Sequence, residues 1–308
     1  MIVTVNEMGD SMDIAIIGGG SIGLHTAAYL AENHHVKIFT KRKEQSERLC
    51  EYGIDLLHVD GKVCHVPISA EQLDGSEINA DLVIVTVKEY HLDEILVYLE
   101  QTKIRSTLLF LQNGIGHVRK ICNIANESVL LGVVEHGAYR LSDYEVAERG
   151  KGVIKIASFR GNKHIDVCNN LNSDDFPIEA HSDWETMLTD KLVINAVINP
   201  ISATLRVKNG QIFQNKFINE IAKNIFNEIN IVLEREAKRD NDWQRLKIIC
   251  EKTADNRSSM LRDIEQNGRT EVEAIIAPLI TKAIELGVET PYLKNYYYVI
   301  KALEAEGR

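Results

Sequence analysis

The sequence lacks the features that would direct the chain to a membrane or to a nucleic acid. No apolar run approaches the roughly 18 residues that a membrane-spanning helix needs, and the N-terminus carries neither a basic region nor an apolar signal segment. Positive charge is scarce, since 35 Lys and Arg residues stand against 45 Asp and Glu residues, a net charge of -10. Phosphate backbones and anionic lipid surfaces attract basic proteins, so we expect a cytoplasmic protein that binds neither nucleic acid nor membranes.

Cysteine is also scarce. The cysteines are scattered and form neither a C-x-x-C pair nor a pattern typical of a disulfide framework: Cys50, Cys64, Cys122, Cys168 and Cys250. We therefore expect reduced thiols. The ten histidines show no spacing with Cys, Asp or Glu that indicates a set of metal ligands, so no metal site is expected.

The first half of the chain has the pattern of an α/β domain. A chain of 308 residues, 44% of them apolar, is long enough for about two domains. Between residues 13 and 181, short apolar runs alternate with polar, helix-compatible segments. The runs are apolar throughout rather than alternating, as in parallel strands covered by helices on both faces. The pattern predicts strands at residues 14–17, 36–40, 82–87, 108–111 and 129–134 of a Rossmann-type parallel sheet.

Strand signals nearly vanish after a polar stretch that ends near Pro177. We therefore predict an N-terminal tail at residues 1–12, an α/β domain at 13–181 and an all-helical domain at 182–308. Two apolar stripes at helical spacing support the helical prediction. The first contains Phe213, Phe217, Ile221 and Ile225, and the second contains Ile275, Leu279 and Ile284.

A glycine-rich turn follows the first predicted strand. Residues 14–23 read IAIIGGGSIG, a strand that enters G-x-G-x-x-G before a helix-compatible segment. In this order Gly18 takes the tight turn, Gly20 lets the backbone approach a pyrophosphate, and Gly23 lets helix and strand pack closely. The alternative is a purely structural turn, which the position at the start of the domain disfavours. The turn, including Ser21 and Ile22, predicts a dinucleotide site.

The end of the second predicted strand indicates which dinucleotide is bound. An NAD site usually has an acidic residue about 20 residues past the glycines, whereas here Lys41 and Arg42 follow the strand. Cations at this place suit the 2′-phosphate of NADPH. The alternative is an ordinary solvated charge run.

Polar residues also follow the next two strands. Thr86, Lys88 and Asn113 come where ligands lie in open α/β sheets, beyond the carboxyl ends of the strands. A single Lys or Asn at such a place is more often a cap or a turn residue. Both interpretations stay open on this evidence.

One helical segment of the second domain carries a polar line. Lys191, Asn195 and Asn199 lie four residues apart in a stretch that is otherwise almost entirely apolar. An unpaired buried polar group costs about 1–3 kcal/mol, so these groups need partners. The partners belong either to an internal network or to a polar ligand, and periodicity alone favours neither.

A further polar cluster occupies residues 255–263 and is followed by Arg269, Thr270 and Glu271. Here Thr270 has the character of a helix N-cap, and Glu271 is favourable near the positive end of a helix dipole. Taken alone, this pattern favours a structural role.

Six segments, in this order and spacing, resemble those of the ketopantoate reductase family. They are GGGSIG, TVK, LQNGIG, KLVINAVINP, NRSSML and RTEVEAI, and they extend over nearly the whole chain from Asp13 onward. The resemblance implies a Rossmann domain, a helical C-terminal domain and an active site in the cleft between them. It also implies the family's reaction, the NADPH-dependent reduction of 2-dehydropantoate to pantoate in pantothenate biosynthesis.

The resemblance also implies roles for individual residues. Lys191 is expected to be the general acid, with Glu271 as its orienting partner. The expected substrate-binding residues are Asn113, Asn195, Asn199, Asn256 and Ser259, and the expected cofactor-binding residues are Gly18, Gly20, Ser21, Ile22, Gly23, Lys41, Arg42, Lys88, Asn113 and Glu271. An ammonium group suits this reaction because hydride addition builds negative charge on the keto oxygen, which Lys191 would stabilise and protonate.

Three alternatives stay open. The first is a reductase of another small 2-oxo acid, and the second is a non-catalytic dinucleotide sensor. The third is a flavin protein, because G-x-G-x-x-G also binds FAD. The pairing of Lys191 with Glu271 speaks against the sensor. A homodimer is left open as well.

Overall fold

The computed structural model describes residues 11–75 and 77–307, so most of the predicted tail at 1–12 lies outside the described residues. The chain forms two compact units. The first contains the described residues up to Gln112 together with Asn123–Met187. The second contains Asn113–Cys122 and the described residues from Leu188 onward. The short segment Asn113–Cys122 therefore belongs with the helices of the second unit, although it follows a strand of the first.

Among its described residues the first unit contains twelve strands, four complete α-helices and one 3₁₀ helix. The same stretch of chain also contains one helix of the second unit and the start of a helix that continues into that unit. In chain order these are β1 (Asp13–Ile17), α1 (Ser21–Leu30), β2 (His35–Thr40), α2 (Lys43–Tyr52), β3 (Ile54–Leu57), β4 (Val63–Val66), β5 (Ser69–Gln72), β6 (Leu82–Val85), the 3₁₀ helix Glu89–His91, α3 (Leu92–Thr102), β7 (Thr107–Phe110), α4 (Gly116–Ile121, in the second unit), β8 (Val129–Val134), β9 (Gly137–Arg140), β10 (Glu145–Gly150), β11 (Ile154–Arg160), α5 (His164–Leu171), β12 (Ile178–Ala180) and the start of α6 (Trp184–Leu205).

The main sheet has eight strands in the order β12-β11-β8-β7-β6-β1-β2-β5. Neighbouring strands are parallel except for the antiparallel pair of β8 and β11. The five strands predicted from apolar runs all form in this sheet, with bounds that differ by at most two residues. Strands β6 and β8 are buried along their whole length, which explains their continuous apolar sequence. The predicted Rossmann-type fold class is confirmed.

A second sheet was not predicted. It has four strands in the order β4-β3-β10-β9 and packs against α1. Its strands β4 and β9 have no fully buried residue, so they lack the apolar runs by which the main strands were identified. This sheet brings the turn between β9 and β10 close to the glycine-rich turn, which matters for the cofactor site.

The regular elements described after Ala180 are all helices, as predicted. After α6 they are α7 (Gln211–Gln214), α8 (Lys216–Val232), the 3₁₀ helix Glu236–Lys238, α9 (Arg239–Lys252), α10 (Ser259–Glu265), α11 (Val272–Ile275), α12 (Ala277–Leu286) and α13 (Pro291–Glu306). Apolar side chains of α6, α8, α12 and α13 contribute to one hydrophobic core. Among the described residues, no helix combines the length and apolar character needed to span a membrane.

Both predicted apolar stripes are wrong in part. The side chain of Asn215 accepts hydrogen bonds from the amides of Phe217 and Ile218 and so caps α8, which separates Phe213 in α7 from the rest of the stripe. Phe217 is 70% exposed because it lies in the first turn of α8, and Ile284 is 66% exposed near the end of α12. Spacing alone did not reveal where the helices break.

Candidate active site

The glycine-rich turn connects β1 to α1 in the first unit. Gly18 has a φ of +122°, and a side chain there would also lie 2.8 Å from the Thr86 hydroxyl oxygen. A Cβ at Gly23 would lie 1.9 Å from the carbonyl oxygen of Gly18. By contrast, nothing lies within 4 Å of the position that a Cβ would occupy at Gly20. Two glycines are therefore required by close packing, and the third leaves open space at the N-terminus of α1.

That open N-terminus suits a pyrophosphate. Gly20 is the N-cap of α1 and provides no side-chain hydrogen bond to the helix. The first amides of a helix need acceptors, and phosphate oxygens provide them. The residues of the turn, with Ser21 and Ile22 at the start of α1, therefore fit a dinucleotide.

Neighbouring strand ends support the turn. Thr86 donates a hydrogen bond to the carbonyl oxygen of Gly18 at 3.0 Å, so its side chain holds the loop in place. Lys88 follows two residues later and precedes the 3₁₀ helix. The side chain of Gln112, which sequence reasoning did not single out, donates to the carbonyl oxygens of Val85 and Val87 and connects the ends of β7 and β6.

The two basic residues after β2 have different partners. Lys41 forms an exposed ion pair with Glu94 of α3 at 2.8 Å, and its hydrogen bond lowers the pKa of that carboxyl group. Arg42 instead pairs with Asp143, which lies between β9 and β10. The sequence predicted no acidic group at this strand end, and the structure supplies one from 101 residues further along the chain.

The predicted catalytic residues lie together in the second unit. The Nζ atom of Lys191 donates a hydrogen bond to Oδ1 of Asn113 at 2.8 Å. The Nδ2 atom of Asn113 donates to Oε2 of Glu271 at 3.0 Å. Glu271 is buried and Lys191 is half-buried. The amide of Asn113 thus connects the ammonium group to the carboxylate, whereas the sequence predicted that Glu271 lies beside Lys191.

Close backbone packing positions Asn113. The next residue, Gly114, has a φ of +76°, and a Cβ there would lie 2.0 Å from the carbonyl oxygen of Ala274 in α11. The amide of Ile115 donates to that same carbonyl oxygen at 3.1 Å. Only glycine allows this approach, which brings Asn113 to the N-terminal end of α11, where Glu271 lies.

The C-terminal helix α13 holds Thr270, the residue before Glu271. The amide and the hydroxyl group of Thr270 both donate to Oε1 of Glu304 at 2.7 Å, and Thr270 in turn accepts from the amide of Val272. Burial raises the pKa of Glu304, but the hydrogen bonds from Thr270 and Lys301 outweigh it and keep the pKa below its usual value. Thr270 is therefore not the N-cap that its sequence suggested, because Glu271 is the N-cap of α11, although the hydroxyl oxygen of Thr270 does accept from the first amide of that helix.

The remaining predicted residues lie on α6 and near α10. Asn199 is buried, Asn195 is half-buried, and Asn256 and Ser259 are exposed. The hydroxyl group of Ser202, one turn after Asn199, donates to the hydroxyl oxygen of Ser258 at 2.6 Å. Because Ser258 is the N-cap of α10 and Ser259 its first residue, this hydrogen bond connects α6 to the segment that contains Ser259.

A buried polar group that the sequence did not reveal lies in the first unit. Atoms of His25, His136 and Glu148 that could bind a metal lie within 4.8 Å of one another. However, Nδ1 of His136 accepts a hydrogen bond from the amide of Gly152, so the proton of the neutral ring is on Nε2, the atom that a metal would need. Burial lowers the pKa of His25 to about 4, which keeps its ring neutral. Nε2 of each histidine and Oε2 of Glu148 are buried without a hydrogen-bond partner among the described residues.

Comparisons with known proteins agree with the six segments. The family profile described as "Ketopantoate reductase PanE/ApbA" matches residues 14–161, and "Ketopantoate reductase PanE/ApbA C terminal" matches residues 183–304. The 2-dehydropantoate 2-reductase of Bacillus subtilis is 38% identical over 296 residues, 95% of this chain and 98% of that protein. The enzyme of the same name from Listeria monocytogenes is 37% identical over 97% of this chain and 99% of its own length.

Solved structures give the same result. The crystal structure named "Probable 2-dehydropantoate 2-reductase panE" from Bacillus subtilis has a TM-score of 0.84 and 39% identity, and the match covers 94% of this chain and 99% of that one. D-mandelate dehydrogenase in a ternary structure with NADH and anilino(oxo)acetate has a TM-score of 0.86 over 96% of this chain and 98% of its own, at 20% identity, which is a likeness of fold alone.

Proposed function

The chain belongs to the ketopantoate reductase family, and from this premise we propose that it reduces 2-dehydropantoate to pantoate with NADPH. It is an oxidoreductase, as its relatives are by name, and enzymes of this family use a nicotinamide dinucleotide. One observation about this chain supports the proposal most strongly, namely the hydrogen-bonded series from Lys191 through Asn113 to Glu271. In this series the buried carboxylate of Glu271 orients the amide of Asn113, and the amide orients the ammonium group of Lys191. An ammonium group held in this way can stabilise the negative charge that develops on a keto oxygen during hydride transfer.

The cofactor site that we propose begins at the glycine-rich turn. The open space at Gly20 and the uncapped N-terminus of α1 suit the pyrophosphate, and Arg42 suits the 2′-phosphate of NADPH. The proposed cofactor-binding residues are Gly18, Gly20, Ser21, Ile22, Gly23, Lys41, Arg42, Lys88, Asn113 and Glu271. Both basic residues are paired with an acid, and Arg42 is favoured because Gln45 connects its partner Asp143 to the glycine-rich turn, whereas Lys41 pairs with Glu94 of α3.

In the proposed mechanism, bound NADPH supplies the hydride that the keto carbon accepts. Negative charge develops on the keto oxygen as the hydride arrives, and the ammonium group of Lys191 stabilises that charge and donates the proton. Asn113 holds the ammonium group in one direction, since its carbonyl oxygen accepts from Nζ while its amide donates to Glu271. The carboxylate of Glu271 accepts from Nδ2 of Asn113 and so keeps the side-chain oxygen of Asn113 directed at the ammonium group.

The proposed substrate site continues from Lys191 along α6. Asn195 and Asn199 lie one and two turns further on the same line, and Ser202 connects this helix to Ser258 beside Ser259. We assign the hydroxyl end of the substrate to the two asparagines. The carboxylate end is assigned to Ser259 and Asn113, with Asn256 as a further lining residue.

Oxidation of NADPH by 2-dehydropantoate, followed at 340 nm with the purified protein, tests the proposal. We expect kcat/KM for 2-dehydropantoate to exceed that for other small 2-oxo acids in a panel. Higher efficiency with another 2-oxo acid would make this a reductase of that acid instead. Binding of NADPH without turnover of any member of the panel would indicate a dinucleotide sensor, and a yellow purified protein would indicate flavin.

Three further expectations from the sequence stay predictions. They are the division into functional domains at residues 13–181 and 182–308, the cytoplasmic location, and assembly into a homodimer, which was left open.

A further inference from the structure

Three arginines from two segments of the first unit, α2 with its N-cap residue and the end of β9, surround one carboxylate. Arg42 donates a hydrogen bond to Oδ1 of Asp143, Arg48 of α2 lies 3.5 Å from Oδ2, and Arg140 of β9 lies 3.8 Å from Oδ1. The side chain of Asp143 is only 14% exposed, whereas each of the three arginines is between 41% and 56% exposed. The carboxylate therefore lies inside a group of guanidinium ions that remain open to solvent.

This group is attached to the glycine-rich turn. The buried side chain of Gln45 donates to the carbonyl oxygen of Gly19 at 2.8 Å and to that of Asp143 at 3.0 Å. The backbone amide of Arg140 donates to the hydroxyl oxygen of Ser21 at 3.0 Å, and its guanidinium group lies 3.4 Å from the carbonyl oxygen of Gly19. The turn between β9 and β10 is thus held against the loop that we propose as the dinucleotide site.

The charges of the group fit a phosphate monoester. Three guanidinium ions against one carboxylate leave two uncompensated positive charges, in a chain whose net charge is -10. A phosphate monoester carries about -1.5 to -2 at pH 7, which matches that excess. Guanidinium groups also suit phosphate oxygens because their paired N–H groups form bidentate hydrogen bonds. A solvated charge run would not bring an arginine of β9 together with two arginines of the α2 segment around one shielded acid.

We infer that Arg48 and Arg140 bind the ribose 2′-phosphate of NADPH together with Arg42, and that Asp143 is an internal anion that competes with this phosphate. This inference rests on the proposed use of NADPH. When the phosphate enters, the arginines exchange part of their contact with Asp143 for contact with the phosphate, and the carboxylate repels the phosphate. The 2′-hydroxyl of NADH carries no charge and can donate a hydrogen bond to Asp143. Asp143 therefore lowers the preference for NADPH that the arginines create.

Equilibrium binding to the purified full chain tests this inference without any catalytic turnover. The fluorescence of NADPH and of NADH is titrated against the wild type, Arg140→Ala, Arg48→Ala and Asp143→Asn, with circular dichroism to verify folding. The matched control is Arg105→Ala, because Arg105 is exposed and precedes β7, at the amino ends of the parallel strands and away from the glycine-rich turn.

We expect Arg140→Ala to weaken NADPH binding about tenfold, the effect of losing one hydrogen bond between charged groups, while the Kd for NADH changes less than about twofold. Arg48→Ala should act in the same direction but less, because Arg48 is the most exposed of the three. Asp143→Asn should tighten NADPH binding about threefold or more and weaken NADH binding, since the repulsion and the hydroxyl acceptor are both reduced. Arg105→Ala should match the wild type.

Two results would overturn the inference. Equal weakening of both dinucleotides by Arg140→Ala and Arg48→Ala would mean that these arginines only support the fold. Unchanged or weaker NADPH binding in Asp143→Asn would mean that Asp143 is a scaffold and not a competitor. If the proposed use of NADPH is wrong, the pattern is different. The wild type would then bind NADPH no better than NADH, and Arg42→Ala would not alter the ratio of the two Kd values.

Discussion

The carbonyl oxygen of the Asn113 side chain accepts a hydrogen bond from the ammonium group of Lys191 at 2.8 Å. The two residues are 78 positions apart, and Asn113 lies three residues after β7 of the first unit but belongs to the second unit. The same amide donates to Glu271, so its orientation is fixed at both ends. This relationship makes Asn113 the residue that determines where the ammonium group points.

Replacement of Asn113 should therefore impair catalysis. In Asn113→Ala the ammonium group loses one acceptor and Glu271 loses a donor, and we expect kcat to fall about 10²-fold, as for loss of a positioned acid. Steady-state rates with saturating NADPH measure this effect. The control is Asn227→Ala, which removes a surface partner of Arg239 in the same unit. A kcat of Asn113→Ala within about twofold of the control would show that Lys191 needs no such support.

Two glycines of the turn should respond differently to an added methyl group. Gly23→Ala places a Cβ 1.9 Å from a backbone oxygen, and the forced shift should cost about 1–3 kcal/mol of unfolding free energy and weaken NADPH binding. Gly20→Ala enters open space, so the unfolding free energy should stay within about 0.5 kcal/mol of wild type. NADPH binding should still weaken in Gly20→Ala, because the methyl group would occupy the place of the pyrophosphate. Denaturant unfolding and NADPH titration of both variants test the pair, and normal binding by Gly20→Ala would contradict the proposed location.

The hydrogen bonds between the C-terminal helix and Thr270, the residue before Glu271, should affect the reaction. Glu304→Gln weakens the two hydrogen bonds from Thr270, and we expect a loss of about 1 kcal/mol in unfolding free energy and a lower kcat with little change in the KM for NADPH. Thr270→Val should act similarly, whereas Thr270→Ser keeps the hydroxyl group and should restore kcat. Equal kcat values for Thr270→Val and Thr270→Ser would mean that the hydroxyl group only stabilises the fold.

His117 of α4 should make the protein sensitive to acid. Its ring is fully buried, both ring nitrogens lack a hydrogen-bond partner among the described residues, and burial lowers its pKa from 6.5 to about 4. The unfolded chain therefore takes up a proton between pH 6.5 and about 4 that the folded chain does not, so stability falls as the pH decreases through this range. The expected loss between pH 7 and 5 is about 2 kcal/mol.

His117→Leu removes that ionisable group and tests the expectation. The pH dependence of the unfolding free energy, measured by denaturant titration at pH 7 and at pH 5, should be shallower in this variant than in the wild type. Identical dependence in the two proteins would show that His117 is protonated as readily when folded as when unfolded.

Much of the fold can be predicted from the sequence, because a strand that is buried on both faces of its sheet is apolar at every position. Strands such as β6 and β8 are apolar at every position, and the glycine-rich turn needs glycine where a side chain would collide with backbone. The polar line of α6 is visible for the same reason, since Lys191 and Asn199 interrupt an otherwise apolar helix. These signals are local, so one sequence is sufficient to read them.

Other features depend on contacts between distant segments. The strands β4 and β9 have no buried run, and Asp143 meets Arg42 only because the second sheet carries its turn to the glycine-rich loop. The position of Asn113 likewise depends on Gly114 packing against Ala274, 160 residues away in the chain. Spacing within a segment carries no information about such contacts, which is why the predicted site lacked Arg48, Arg140, Asp143 and Gln112.

The reaction of Lys191→Ala tests the central claim most directly. The rate of NADPH oxidation with 2-dehydropantoate and the Kd for NADPH are measured on the same preparation of the variant and the wild type. The account predicts a fall in kcat of about 10²-fold or more, with the Kd for NADPH within about twofold of wild type, because the ammonium group acts on the keto oxygen. A kcat equal to that of the wild type would contradict it.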